Sequence, residues 1–203
     1  MGQDKATLLV AGEPLLKRTC RVALECTKTV WVFTPWVERY REIVPPGCRL
    51  IMEVQANPAI SQGPLLGFAQ VLPLVASEWV LLLACDLPRL EGWVLRRWAT
   101  QCQSCADTIL LPRGEKGWEP LCGFYRINCR NSLDRAIAQG CTAFQPWLAG
   151  ETVQELALEP GDRALLLNCN TPEDWAKAGV ATDSRRHEKQ GDGESESLPS
   201  IGG

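Results

Sequence analysis

The stretch EWVLLLACDLP, residues 78–88, decides the fold. It is continuously apolar from Trp79 to Cys85, as a strand covered by helices on both faces is. It stops at Cys85-Asp86 and turns away at Leu87-Pro88. Upstream, TVWVFT (29–34) is β-branched and aromatic and reads as a buried strand, PPG (45–47) breaks the chain, and RLIMEV (49–54) reads as a second strand. Downstream, DTILLP (107–112), WEPLCGFYRI (118–127), TVQELAL (152–158) and the short ALLLNC (164–169) read as further strands.

Between them lie helical patterns. GEP (12–14) is a turn, after which Leu15, Thr19 and Val22 share one stripe, flanked by Leu16, Cys20 and Ala23. LLGFAQVLPLVAS (65–77) is a helix stopped or kinked by Pro73. RLEGWVLRRWATQCQ (89–103) is a helix despite Gly92. CRNSLDRAIAQG (129–140) is a helix ending at Gly140, and AFQPWLAG (143–150) is a short turn or helix. TPEDWAKAG (171–179) starts a last helix, with Thr171 at its N-cap and Pro172 at its first position. The β-α-β-α order implies an α/β fold with a largely parallel sheet and helices on both faces. In such sheets ligands bind outside the carboxyl ends of the strands.

Three stretches sit where that rule points. Asp86 follows the most apolar strand, where a lone carboxylate holds Mg²⁺ shared with a nucleotide's phosphates; the plain alternative is a helix N-cap for the segment near Pro88. Gly2, Asp4 and Lys5 in MGQDKA offer a close backbone approach to a phosphate and a point charge; alternatively they are a polar start without a site. Gly63-Pro64 in QGPLLG (62–67) leads into a helix whose first amides face a ligand or simply cap a loop.

Other features exclude functions. The net charge of −3 over 203 residues gives no footprint for nucleic acid. No apolar run approaches the ~18 residues of a membrane span, and the start lacks a basic-then-apolar leader. The ten cysteines are therefore read as reduced thiols in a cytoplasmic protein. Cys102 and Cys105 form a C-x-x-C without a second pair, and His187, the single histidine, lies in the polar stretch near the end, so packing is preferred over metal or redox chemistry. The eight tryptophans are spread without interleaved basic residues and read as packing. Residues 1–180 form one domain; 181–203, rich in charge, Gly and Ser, reads as a disordered tail.

Taken in order, these pieces resemble the molybdenum cofactor guanylyltransferases, in their cyanobacterial form. AGEPLL, QGPLLG, LLLACDLP, EPLCGFY, FQPWL and NCNTPEDW follow one another between Met1 and about Gly179. MGQDKA matches the end of the family's loop L-x-G-G-x-S-x-R-M-G-x-D-K, so the resemblance implies a first strand and loop front ahead of it. It implies a Rossmann-like nucleotidyltransferase sheet and transfer of GMP from GTP to the phosphate of molybdopterin, with pyrophosphate released. The family's loop lysine matches Lys5 and its magnesium aspartate matches Asp86. Gly2, Glu53 and Gly63 complete the expected nucleotide-binding set; Asn170 and Thr171, placed after a strand at the ligand edge, are candidates for binding the pterin. Transient contact with molybdenum enzymes is implied as well. Two departures bear on the base: IMEVQANPAISQGP lacks the family's aspartate, leaving Glu53 as the nearest carboxylate, and VFTPW ends a strand where many relatives carry an asparagine. A related cytidylyl- or sugar-phosphate nucleotidyltransferase, and a non-catalytic remnant without its first strand, are the alternatives.

Overall fold

The computed structural model describes residues 4–54, 63–115, 117–169 and 174–175. A 3₁₀ turn at Lys5–Thr7 precedes a short hairpin, β1 (Leu9–Val10) and β2 (Glu13–Pro14). Its two-residue loop, Ala11-Gly12, has φ of 50° and 82°, the left-handed pair that a tight hairpin turn requires. Helix α1 (Leu15–Leu24) follows, burying Leu15, Leu16, Cys20, Val22 and Ala23, the stripe its spacing predicts.

Strand β3 (Val30–Thr34), the short helix α2 (Val37–Tyr40) and strand β4 (Cys48–Met52) come next. β3 and β4 pair in parallel, Val30 opposite Cys48 through Thr34 opposite Met52. Helix α3 (Gly63–Val71), strand β5 (Trp79–Leu83), helix α4 (Gly92–Thr100) and strand β6 (Ile109–Leu111) continue the alternation. A second hairpin, β7 (Arg113–Gly114) with β8 (Gly117–Trp118), leads into β9 (Cys122–Arg126). Helices α5 (Arg130–Ala138) and α6 (Phe144–Leu148) precede β10 (Val153–Glu155).

The larger sheet has the order β10-β6-β9-β5. β10 and β6 are parallel, whereas β9 runs antiparallel to both its neighbours, so the sheet is more mixed than the alternation predicts. Residues 112–121 separate β6 from β9, short of the dozen or so that a parallel crossover takes. Gly123 in β9 lies against Leu111, where a Cβ would collide with the leucine side chain.

Side chains alternate across this sheet. Leu81, Leu83, Leu110 and Phe124 face α1 and α4, packing with Val22, Val94, Leu95 and Trp98. Val80, Leu82, Ile109, Leu111 and Tyr125 face α3, α5 and α6, packing with Leu65, Phe68, Leu133, Phe144 and Trp147. Each fully buried leucine contributes about 1.5–3 kcal/mol relative to exposure, and Leu65, Leu72, Leu95, Leu110, Leu111 and Leu133 have no exposed surface. Gly92 opens α4 beside Glu25, whose side chain a Cβ would strike; close approach of α1 and α4 explains the glycine in a helical pattern.

β5 is only half-buried along its length, less than a strand covered on both sides predicts. Among the described residues, its edge away from β9, and the edge of β3 away from β4, carry no ladder. Helix α1 contributes to clusters holding residues of both strands, Val32 in one and Leu81 and Leu83 in the other.

ALLLNC does not form a strand. Asp162–Leu166 is a 3₁₀ turn introduced by Gly161 at φ 95°. Asp162 fixes it: its carboxylate accepts the Trp98 indole N–H at 3.0 Å and the Glu159 N–H at 2.9 Å, and pairs with Arg97. The TPEDWAKAG helix and the 181–203 stretch lie largely outside the described residues; of the helix, Asp174 and Trp175 are helical.

Candidate active site

β5 delivers Cys85 and Asp86 to the carboxyl edge of the sheet. The Thr19 hydroxyl of α1 donates to the Cys85 carbonyl at 3.4 Å. Arg18, one residue earlier, holds the loop after Asp86: its Nε donates to the Pro88 carbonyl at 2.8 Å, and its Nη2 to the Leu90 carbonyl at 3.3 Å and the Glu91 carboxylate at 2.6 Å. Asp86 caps no helix: α4 begins only at Gly92, with Glu91 before it. The capping alternative is therefore set aside.

Lys5 arrives from the other side on a 3₁₀ turn, Lys5–Thr7. Asp4 organises that turn, its carboxylate accepting the Ala6 N–H at 3.1 Å, the Tyr40 hydroxyl at 2.8 Å and the Arg39 guanidinium at 3.2 Å. Because α2 follows β3, these bonds bring the carboxyl ends of β3 and β5 to one edge. Lys5 Nζ then stands 4.0 Å from Asp86 Oδ2, with side chains 33% and 20% exposed.

Asp86 Oδ1 is buried and has no hydrogen-bond partner. Burial pushes the Asp86 carboxyl above the usual carboxylate range, against the opposing pulls of Lys5 and its own backbone N–H. Burial and the Asp86 charge push the neighbouring Cys85 thiol up to about 11, so it stays protonated at neutral pH. Among the described residues no group of three or more His, Cys, Asp or Glu is placed to hold a metal. A single carboxylate with an unsatisfied oxygen suits Mg²⁺ that arrives with phosphate ligands and keeps several waters, and does not suit a closed protein cage.

The structure thus joins Lys5 and Asp86. Glu53 lies just beyond β4 and not inside it; its N–H donates to the Thr34 carbonyl at 3.0 Å, and its carboxylate lies against Gly67 of α3, outside the Lys5–Asp86 pair. Gly63 opens α3 at φ 74°, with its Cβ position 3.3 Å from the Thr142 carbonyl, so glycine is required there. Gly2 and Asn170 fall outside the described residues, although the Cys169 N–H next to Asn170 donates to the Asp86 carbonyl at 3.0 Å. Cys102 and Cys105 are buried in the cluster that α4 packs into. Sequence reasoning missed Arg18, Arg39 and Tyr40; the acid at position 4 was visible, but not the partners 35 and 36 residues away.

A three-layer α/β body with a lysine and an aspartate meeting at the carboxyl edge defines a Rossmann-like nucleotidyltransferase. Residues 1–167 match the MobA-like NTP transferase domain, and the chain belongs to that family. A "Probable molybdenum cofactor guanylyltransferase" of Nostoc sp. (strain PCC 7120) is 51% identical over 178 residues, covering 87% of this chain and 83% of that protein. Its counterpart in Synechococcus elongatus is 44% identical over 177 residues, covering 86% and 89%. Among solved structures, molybdopterin-guanine dinucleotide biosynthesis protein A from Archaeoglobus fulgidus superposes with a TM-score of 0.66 at 20% identity, covering 87% of this chain and 89% of its own. A 2-C-methyl-D-erythritol 4-phosphate cytidylyltransferase from Thermus thermophilus shares the fold at a TM-score of 0.60 and 17% identity, covering 86% and 91%. No helix among the described residues is long and apolar enough to cross a membrane.

Proposed function

We propose that this chain transfers GMP from GTP to the phosphate of molybdopterin, releasing pyrophosphate. The supporting observation is the approach of Lys5 to Asp86 at the carboxyl edge of β5, with one Asp86 oxygen buried and unsatisfied. The high identity to guanylyltransferases favours this reading over a cytidylyl- or sugar-phosphate enzyme or a remnant.

In this reading an oxygen of the acceptor phosphate attacks the α-phosphorus of GTP in line. The bond from that phosphorus to the bridging oxygen breaks, and pyrophosphate leaves with the electron pair. Such chemistry asks the protein for position and charge, not for a covalent intermediate. Asp86 would hold Mg²⁺ carried by the triphosphate, and the ion would offset charge on the phosphate oxygens. Lys5 offsets negative charge around the α-phosphate, and Asp4 keeps the turn carrying Lys5 in place. Arg18 fixes the loop behind Asp86 so that the carboxylate need not reorganise. Gly2 and Gly63 would complete the nucleotide contacts, Glu53 would serve as the carboxylate toward the sugar or base, and Asn170 would face the pterin. Residues 1–180 act as one domain, working in the cytoplasm and handing the product to molybdenum enzymes.

Pyrophosphate release by the chain with Mg²⁺ and molybdopterin, compared across GTP, CTP and UTP, tests this. Release with GTP well above the others, and dependent on molybdopterin, is expected. Preference for CTP or UTP would overturn the assignment.

A further inference from the structure

We propose that Trp36 is the platform on which the purine base of the nucleotide stacks, backed by Arg39; this rests on the nucleotidyl-transfer reading above. Single exposed apolar residues are ordinary, but Trp36 differs in company and in place. It is 53% exposed, two residues beyond the end of β3; the paired strand β4 ends at Met52, 55% exposed, and Val54, 71% exposed, lies two residues past that end. The apolar surface therefore lies at the carboxyl ends of two parallel strands, on the edge that holds Asp86.

The main chain at Trp36 is anchored. Its N–H donates to the Thr34 hydroxyl at 3.2 Å, and its carbonyl accepts the Arg39 N–H at 3.1 Å. The Arg39 guanidinium lies over the indole, 5.2 Å from the ring centroid. That guanidinium is fixed in turn by Asp4 at 3.2 Å, and Asp4 precedes Lys5, whose Nζ is 4.0 Å from Asp86 Oδ2. One run of direct contacts thus links an aromatic face to the charges that take the phosphates.

A half-open indole with a guanidinium over one face, at that place, fits the flat face of a nucleobase. Every base has such a face, so Trp36 contributes affinity and favours the larger purine through overlap; it does not read guanine by hydrogen bonds. This gives VFTPW a binding role without an amide side chain.

The test is calorimetric titration of the full chain with GTP, CTP and inorganic tripolyphosphate, each with Mg²⁺, in wild type, Trp36→Ala and Trp36→Phe. Trp36→Ala should weaken GTP roughly 10- to 100-fold, weaken CTP less, and leave tripolyphosphate unchanged; Trp36→Phe should recover most of the loss. Unchanged GTP affinity in Trp36→Ala, or an equal loss for tripolyphosphate, overturns the platform while leaving the reaction assignment standing. A wild-type chain that takes up none of the three overturns the reaction assignment, and the platform with it.

Discussion

Replacing Asp86 by Asn should stabilise the protein while disabling it. The Asp86 side chain is 20% exposed, one oxygen has no partner, and the nearest cation, Lys5 Nζ, is 4.0 Å away and 33% exposed. Two unit charges at that separation attract by about 4 kcal/mol at an effective dielectric of ~20, but solvent on the lysine reduces such pairs toward 1 kcal/mol or less. Burial outweighs this attraction, since the carboxyl sits above its usual range despite Lys5. The ionised group therefore costs stability at neutral pH. Removing the charge while keeping the shape should add on the order of 1 kcal/mol, a rise of about 2–4 °C in melting temperature at this chain length. The pH dependence has a definite sign. A carboxyl raised on folding contributes stability that is fully present below its unfolded pKa and is lost as pH rises through the folded value. The lead of Asp86→Asn over wild type should thus open as pH rises from the ordinary carboxylate value through the raised one, and then hold. Thermal melts followed by circular dichroism from about pH 3.5 to 8 measure it. A variant that melts below wild type at neutral pH, or a lead that shrinks as pH rises, would refute the reasoning.

Other outcomes follow from the same structure. Lys5→Ala should lower kcat by roughly 10²-fold in steady-state pyrophosphate release, with its fold intact by circular dichroism. Asp162→Ala leaves the buried Trp98 indole N–H and the Glu159 backbone N–H without their acceptor and Arg97 with the Glu159 carboxylate in place of two, and should cost about 2–4 kcal/mol in urea unfolding. Burial opposes the Asp162 charge, but hydrogen bonds from Trp98, Glu159 and Arg97 outweigh it and hold the carboxyl below its usual range; its contribution is present above the unfolded pKa, and the difference from Asp162→Ala should fade as pH falls through the folded value. Gly123→Ala forces the fully buried Leu111 side chain aside and should cost about 1–3 kcal/mol in the same assay.

Much of the architecture was legible because the strands are apolar runs bounded by clear breakers. β3, β5 and β6 fall within the predicted stretches, α1 buries most of the expected stripe, and α5 lies within CRNSLDRAIAQG. ALLLNC failed because a short apolar run has no period of its own; the Asp162 anchor, set by partners 64 and 65 residues away, turned it into 3₁₀. The direction of β9 depended on connection length, which strand composition does not carry. Half-burial of β5 could not be read from WVLLL, since exposure depends on what pairs with its free edge. At the site, Asp86 was visible from its place after the strand. That Asp4 anchors to Tyr40 and Arg39, and Arg18 to Pro88, required contacts between distant segments.

The most direct test of the central claim is the initial rate of GTP-dependent dinucleotide formation by wild type, Asp86→Asn and Asp86→Ala, with Mg²⁺ and molybdopterin at saturation. The arrangement at the end of β5 predicts a loss of at least ~10²-fold in both variants, with the Asn protein folded and at least as heat-stable as wild type. Near-normal turnover in either variant would contradict a role for Asp86 in nucleotidyl transfer.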